Sequence, residues 1–223
     1  MNVKIREFGV HDADAYWQQR KTEDRTHERR LHRFLSTLID RLIGRPGGSV
    51  LDCGAGSGHV LRLCAEKHHV YGVDLSREAI TMSGLPADSI RQADLNEGIP
   101  DFGTRFDIVI ASMLLHWLDD PSAFLRQARE LLTEHGRLIV VAPNITYYRH
   151  RVAFLFGRFP PISLSHKNFQ VPAETEHMFR AAGLTIEERL SPRSSWLARL
   201  APTLFSGEIV YVLRAAPVQK ADA

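Results

Sequence analysis

Cysteine is scarce in this sequence: Cys53 and Cys64 are the two it has, too few for a disulfide framework or a metal-ligand set. Long apolar runs are missing as well. None approaches the roughly 18 residues of a membrane span, and the opening Met1-Asn-Val-Lys-Ile-Arg-Glu-Phe8 has no apolar signal core. An excess of either charge is also absent, since 28 Lys and Arg stand against 26 Asp and Glu for a net +2. That balance gives no electrostatic reason to expect nucleic acid or an anionic membrane as a partner. Internal repeats and low-complexity tracts are lacking too. What remains is a single domain of 223 residues, long enough to bury a full core, with a reducing cytoplasm as its simplest address.

What is present is organised around Ser49-Val-Leu-Asp-Cys-Gly-Ala-Gly-Ser-Gly-His59. Val50 and Leu51 read as a short buried strand, and Val60, Leu61 and Leu63 open an amphipathic helix. Between them Gly54, Gly56 and Gly58 let the backbone turn sharply and approach a ligand closely. A helix N-terminus behind glycines tolerates an anionic ligand. The dinucleotide fingerprint Gly-x-Gly-x-x-Gly is not met: the third glycine arrives one residue early, and His59 holds its place. An ordinary strand-to-helix turn is the alternative reading of the stretch.

Residues 12 to 43 read as helical, with Leu31, Phe34, Leu35, Leu38, Ile39 and Leu42 on one sheet-packing stripe and mixed charges on a solvated face. Gly44-Arg-Pro-Gly-Gly48 ends that helix. Behind the glycine turn a helix over 58–67 leads to a second strand, 69–74, whose terminal Asp74 stands 22 positions beyond Asp52, the interval of a βαβ unit. Asp74 can there accept both hydroxyls of a ribose, or cap the helix beginning near Arg77. A third strand, 90–93, ends at Asp94-Leu95. Strand four, 106–112, is an apolar run of the kind covered by helices on both faces. It delivers Ser112, Met113, His116 and Trp117 to the carboxyl edge, where open α/β sheets bind ligands. A helix over 121–133, a fifth strand over 136–142, a helix over 173–182 and strands near 184–190 and 208–213 follow, the last antiparallel. The predicted fold is α/β, a doubly wound, mostly parallel sheet of seven strands with helices on both faces. A helical cap over 1–44, an insertion over 145–172 and a frayed tail over 216–223 complete the single domain.

This order of features resembles the class I S-adenosylmethionine-dependent methyltransferases from Ser49 to about Leu190. The acid and glycines of the first turn are similar to their motif I, and Asp74-Leu75-Ser76 to their ribose-binding step; Asp119-Asp-Pro121 and Gly136-Arg-Leu-Ile-Val-Val-Ala-Pro-Asn144 follow in place. The resemblance implies S-adenosylmethionine as cofactor and S-adenosylhomocysteine as product. It implies the amino-acid end against Asp52, Gly54, Ala55, Gly56 and Gly58, the ribose on Asp74 beside Leu75, and the adenine amine at Asp94 beside Leu95. Ser112 and Trp117 then border the cofactor. Asp94 has a second reading as a turn former. Tyr16-Trp17-x-x-Arg20 is similar to a segment that folds over the cofactor in related small-molecule methyltransferases, where Arg20 would pair with its carboxylate. Tyr16 and Trp17 can equally anchor their helix in the core.

The second half is similar to the branch containing ubiquinone-biosynthesis O-methyltransferases and the MetW proteins of methionine biosynthesis. Pro143-Asn144, Arg149-x-Arg151, Gly157-Arg158-x-Pro160 and Leu204–Leu213 match MetW; His166-x-x-Phe169 matches the wider branch. A small-molecule acceptor is implied, with Tyr147, Tyr148 and Arg151 shaping its pocket if the insertion covers the cofactor mouth. The other reading of the insertion is a core helix with snorkelling arginines. For a hydroxyl acceptor, histidine is the suitable base; His166 is the first candidate and His116 the second, with positioning as the rival role of each. The alternative function is a non-catalytic, MetW-like partner of a homoserine acyltransferase, although Ser57 stands where those proteins usually carry an acid. A homodimer is compatible with either. No metal, nucleic acid or membrane is expected.

Overall fold

The computed structural model describes residues 13–20, 26–158, 168, 170–192 and 195–216, with the side chains of residues 19, 20 and 26–28 set aside. Among these, strands β1 (Ser49–Cys53), β2 (His69–Asp74), β3 (Ile90–Gln92), β4 (Phe106–Ser112), β5 (Leu132–Pro143), β6 (Leu184–Leu190) and β7 (Glu208–Ala215) form one sheet. Their order is β3-β2-β1-β4-β5-β7-β6. The first five run parallel, and β7 lies antiparallel to both β5 and β6.

Successive side chains of a strand point to opposite faces, so a strand apolar at every position needs cover on both sides. In β4, Ile108 and Ile110 face one layer while Val109 and Ala111 face the other. β5 divides Ile139 and Val141 from Leu138 and Val140, and β7 divides Val210 and Val212 from Ile209, Tyr211 and Leu213. The first layer is made by α2 (Thr26–Ile43) and α3 (His59–Cys64), through Leu31, Leu35, Leu38, Ile39, Val60, Leu61 and Cys64. The second is made by α5 (Pro121–Glu130) and α7 (Pro172–Ala181), through Phe124, Leu125, Ala128, Met178 and Phe179. Each Val, Leu, Ile, Phe or Met among them stabilises the fold by about 1.5–3 kcal/mol when fully buried. The remaining helices are α1 (Ala13–Arg20), α4 (Arg77–Ser83), α6 (Tyr148–Leu155), α8 (Trp196–Leu200) and α9 (Pro202–Phe205).

Several predicted boundaries move. The long N-terminal helix is two helices, α1 and α2, with residues 21–25 outside the described set. α3 stops at Cys64 because the Lys67 and His68 amides both turn back to its carbonyl, closing the chain towards β2. α5 stops at Glu130 because Leu132 is drawn into register with Phe106 of β4, which also lengthens β5 at its start. The core-helix reading of the insertion fails: α6 buries none of its residues. The remainder of the insertion at 159–167 and 169, and the tail at 217–223, lie outside the described residues.

Candidate functional site

β1 has β2 on one side and β4 on the other, so the chain reverses its direction of winding at β1 and leaves a crevice at the carboxyl ends of these strands. The glycine turn fills that position. Gly54 and Ala55 donate their amides to the Val73 carbonyl at 2.8 and 2.9 Å, which ties the turn to β2. Gly56 takes φ +53, a conformation few other residues adopt. A methyl group there would lie 2.5 and 2.6 Å from Cζ2 and Cη2 of Trp17, so only a glycine lets the indole rest on the turn. His59, which displaces the dinucleotide glycine, shares a 2.7 Å hydrogen bond through Nδ1 with Ser57 Oγ, and the His32 ring stacks on it.

Asp74 ends β2 and is buried. Its Oδ2 accepts from the Gly56 amide at 2.7 Å and its Oδ1 from the Ser76 amide at 2.9 Å. Burial pushes this carboxyl up while the amides of Ser76 and Gly56 pull against it. The helix-capping alternative falls to the neighbouring residue, because Ser76 Oγ accepts from the Ala79 amide at 3.0 Å and is the N-cap of α4. Ser76 Oγ in turn donates to Asp14 Oδ1 at 2.5 Å, and Asp14 also accepts from the Glu78 amide at 3.1 Å. These bonds hold the Asp14 carboxyl below its ordinary range, the Ser76 hydroxyl being the larger cause. A continuous set of hydrogen bonds thus runs from α1 through Asp14, Ser76 and Asp74 to Gly56, where Trp17 of the same helix returns.

Asp52 lies beside this circuit, buried, with Oδ1 lacking a hydrogen-bond partner. Desolvation, reinforced by the charge of Asp74, raises its carboxyl from 3.8 to about 8. A buried carboxyl oxygen without a partner costs stability, and a strongly shifted carboxyl at the mouth of a crevice is a candidate ligand contact.

The third wall comes from the end of β4. Ser112 is half-buried, Met113 takes a positive φ of 55, and His116 is buried in a short 3₁₀ turn, Leu115–Trp117. The Tyr16 and Trp117 rings meet at 6.4 Å, so α1 spans the loops after β1, β2 and β4. Asn168 bridges the same turn, donating its amide to the His116 carbonyl at 3.2 Å and Nδ2 to the Leu118 carbonyl at 2.6 Å. Leu75 is exposed and Leu95 buried at the β2 and β3 ends. Asp94 Oδ1 accepts from the amide and Nδ2 of Asn96, both at 2.9 Å, so one of its oxygens closes its own turn as the alternative reading had it.

The residues expected to line an acceptor pocket differ in burial. Tyr147 is buried with its ring 4.9 Å from that of exposed Tyr148, while Arg151 is exposed and donates Nε to the Thr146 carbonyl at 2.7 Å. His166 and the Arg20 side chain lie outside the described residues. Asp14 and Asn168 join this edge although no motif in the sequence marked them; each acts through a partner dozens of residues away. Asp14→Ala is expected to weaken cofactor binding several-fold and leave the thermal midpoint near that of the parent protein, as titration and melting would read.

Residues 26–189 match the family model described as Methyltransferase domain. The chain is 26% identical over 204 residues to the ubiquinone biosynthesis O-methyltransferase of Aeromonas salmonicida, covering 84% of each. To an uncharacterized 37.1 kDa protein in transposon TN4556 of Streptomyces fradiae it is 29% identical over 153 residues; that match takes in 65% of this chain but only 43% of the other. Magnesium protoporphyrin IX methyltransferase of Synechocystis PCC 6803, solved with bound SAH, shares the fold with a TM-score of 0.65 at 16% identity, over 92% of this chain and 96% of that one. The family model spans most of the sheet together with the glycine turn, Asp52 and Asp74, and the chain belongs to the methyltransferase-domain family as a class I S-adenosylmethionine-dependent methyltransferase.

Proposed function

We propose that this protein methylates a hydroxyl oxygen of a small-molecule acceptor. The observation that carries the cofactor's placement is the unpartnered, buried Oδ1 of Asp52 beside a turn on which a side chain at Gly56 would not fit. An ammonium group supplies the donor that this oxygen lacks. Gly54, Ala55, Gly56 and Gly58 would receive the amino-acid end, and Asp74, with an accepting lone pair to spare on each oxygen, the ribose hydroxyls. Asp94 and Leu95 would border the adenine, and Ser112, Trp117 and Tyr16 would close the cofactor from the β4 side, with Arg20 at its carboxylate. When bound, the sulfonium supplies an already activated methyl carbon.

The chain's own residues then have two tasks, to hold the acceptor oxygen in line with that carbon and to keep water out. Tyr147, Tyr148 and Arg151 would orient the acceptor. A hydroxyl gives up its proton as its oxygen gains the methyl, and a ring nitrogen of His166, or of His116 at the β4 edge, would take it. The Aeromonas salmonicida relative is a ubiquinone biosynthesis O-methyltransferase, which supports oxygen as the attacking atom.

Asp52 gives this assignment a pH signature. With its carboxyl raised to about 8, it is protonated in the free protein at pH 7 and must ionise to pair with an ammonium. Cofactor binding should therefore release protons at neutral pH, and affinity should rise by up to about tenfold per unit as pH climbs towards 8, then level off. For the free protein the sign is opposite: from about pH 4 to about pH 8 the folded state holds a proton that the unfolded state lacks, so stability falls across that window. Calorimetric titration with S-adenosylmethionine in buffers of different ionisation heat reads the proton count, and Asp52→Asn should abolish it. An acceptor screen followed by mass spectrometry tests the reaction. No heat with either the cofactor or S-adenosylhomocysteine would overturn the whole reading.

A further inference from the structure

Trp17 and Trp117, two of the chain's three tryptophans, stand with Tyr16 at the carboxyl edge of the sheet, although they come from α1 and from the turn after β4. The Tyr16 ring is edge-on to Trp17 at 5.7 Å and to Trp117 at 6.4 Å, and the His116 ring is tilted against Trp117 at 5.6 Å. Rings of this size ordinarily enter a core, as Tyr71, Phe102 and Phe106 do in the layer of α5 and α7. Tyr16, Trp17 and Trp117 belong to neither hydrophobic layer of the described residues, and each is half-buried. Large aromatic surface gathered at a crevice, outside the core, fits the lining of a ligand site.

The two acids of the site narrow what such a ligand presents to the rings. Gly56, on which the Trp17 indole rests, donates its amide to Asp74, the end proposed for the ribose. Asp52, proposed for the ammonium group, lies near the end of β1, just ahead of the same turn. Trp17 therefore rests on the residue between the contacts of the two ends. In S-adenosylmethionine the atom that joins the ribose to the amino-acid chain is the sulfur, and it carries a positive charge. Asp14 and Trp17 stand three residues apart on α1 and so share a face, which brings an anion and an aromatic ring to one edge.

We propose that Tyr16, Trp17 and Trp117 recognise the sulfonium charge of the cofactor by cation–π attraction, and so favour S-adenosylmethionine over S-adenosylhomocysteine. This rests on the cofactor placement proposed above, and it adds the means by which the chain tells the charged compound from the product, whose sulfur is a neutral thioether. The face of an aromatic ring is negative through its quadrupole, that of Trp most of all, and attracts a cation within about 6 Å of its centre. The attraction strengthens where water is excluded. A thioether gains only packing. Asp74 and Asp14 draw any cation to this edge as well, so a preference for the charged compound does not by itself identify the rings. Its dependence on ring electron density does.

The test is calorimetric titration of the full chain with each compound, carried out with ordinary tryptophan and with mono-, di- and trifluorotryptophan incorporated in its place. Fluorine draws density from the ring face and leaves the acids as they are. Affinity for S-adenosylmethionine should fall stepwise, by about three- to thirtyfold across the series, while that for S-adenosylhomocysteine stays within about twofold. Trp196→Phe should leave this slope unchanged, because Trp196 stands in α8 and is 67% exposed. Trp17→Leu should lower the ratio of the two affinities by about three- to thirtyfold, with Trp17→Phe retaining part of it. A flat response to fluorination, or a Trp17→Leu protein that loses affinity for both compounds equally, would overturn the proposal and leave the rings as packing for α1. Binding of neither compound by the parent protein would overturn the cofactor placement along with it, which separates the two failures.

Discussion

Asp74→Ala is expected to lower affinity for S-adenosylmethionine by roughly 10- to 100-fold, the equivalent of about 1–3 kcal/mol for a buried acceptor lost. The structure adds a second effect. Asp74 satisfies the amides of Gly56 and Ser76, so its removal strands two buried donors and loosens the turn as well as the ribose contact. Stability should fall by roughly 1–3 kcal/mol, visible as a lower thermal midpoint. Asp74→Asn does not separate the two roles cleanly, because its NH₂ would face one of those amides. The deciding measurement is titration of folded Asp74→Ala: affinity equal to that of the parent protein would remove Asp74 from the binding site.

Gly56→Ala is the second large effect. The new methyl would overlap the Trp17 indole at 2.5 and 2.6 Å, at a φ of +53 where a Cβ costs roughly 1–2 kcal/mol by itself. The flexible end of a side chain could swing away, but Trp17 is a rigid ring, so α1 has to shift as a unit. That shift pulls Asp14 from Ser76 and Glu78, and through Ser76 it disturbs Asp74. Cofactor affinity should drop more than about tenfold. Trp17→Ala in the same chain should recover part of the loss if the indole is the obstacle; no recovery would mean that the methyl meets the cofactor itself. A Gly56→Ala protein that binds as tightly as its parent would show that α1 does not lie against the turn in solution.

Much of the architecture was legible because it is written in local patterns. The two-faced apolar runs of β4, β5 and β7 demand helices on both sides, and the interval between Asp52 and Asp74 fits one strand, one helix and another strand. The glycine turn was legible for the same reason, since left-handed backbone next to a helix start leaves little choice of residue. Boundaries were less so. Where α5 stops depends on Leu132 finding Phe106 across the sheet, a partner that local sequence does not specify.

The chain by itself determined the sheet, its two helical layers and the acids at the ends of β1 and β2, because each follows from periodicity within a few turns or strands. Tertiary structure alone decided three things. It brought Asp14 to Ser76 across 62 residues, which ties α1 to the carboxyl end of β2. It left Asp52 Oδ1 without a donor, an outcome that depends on which neighbours arrive and not on the residue itself. And it turned the apolar stripe of α6 outward, where composition alone had allowed a core helix, because the layer it would have joined was already filled by α5 and α7 on one face and by α2 and α3 on the other.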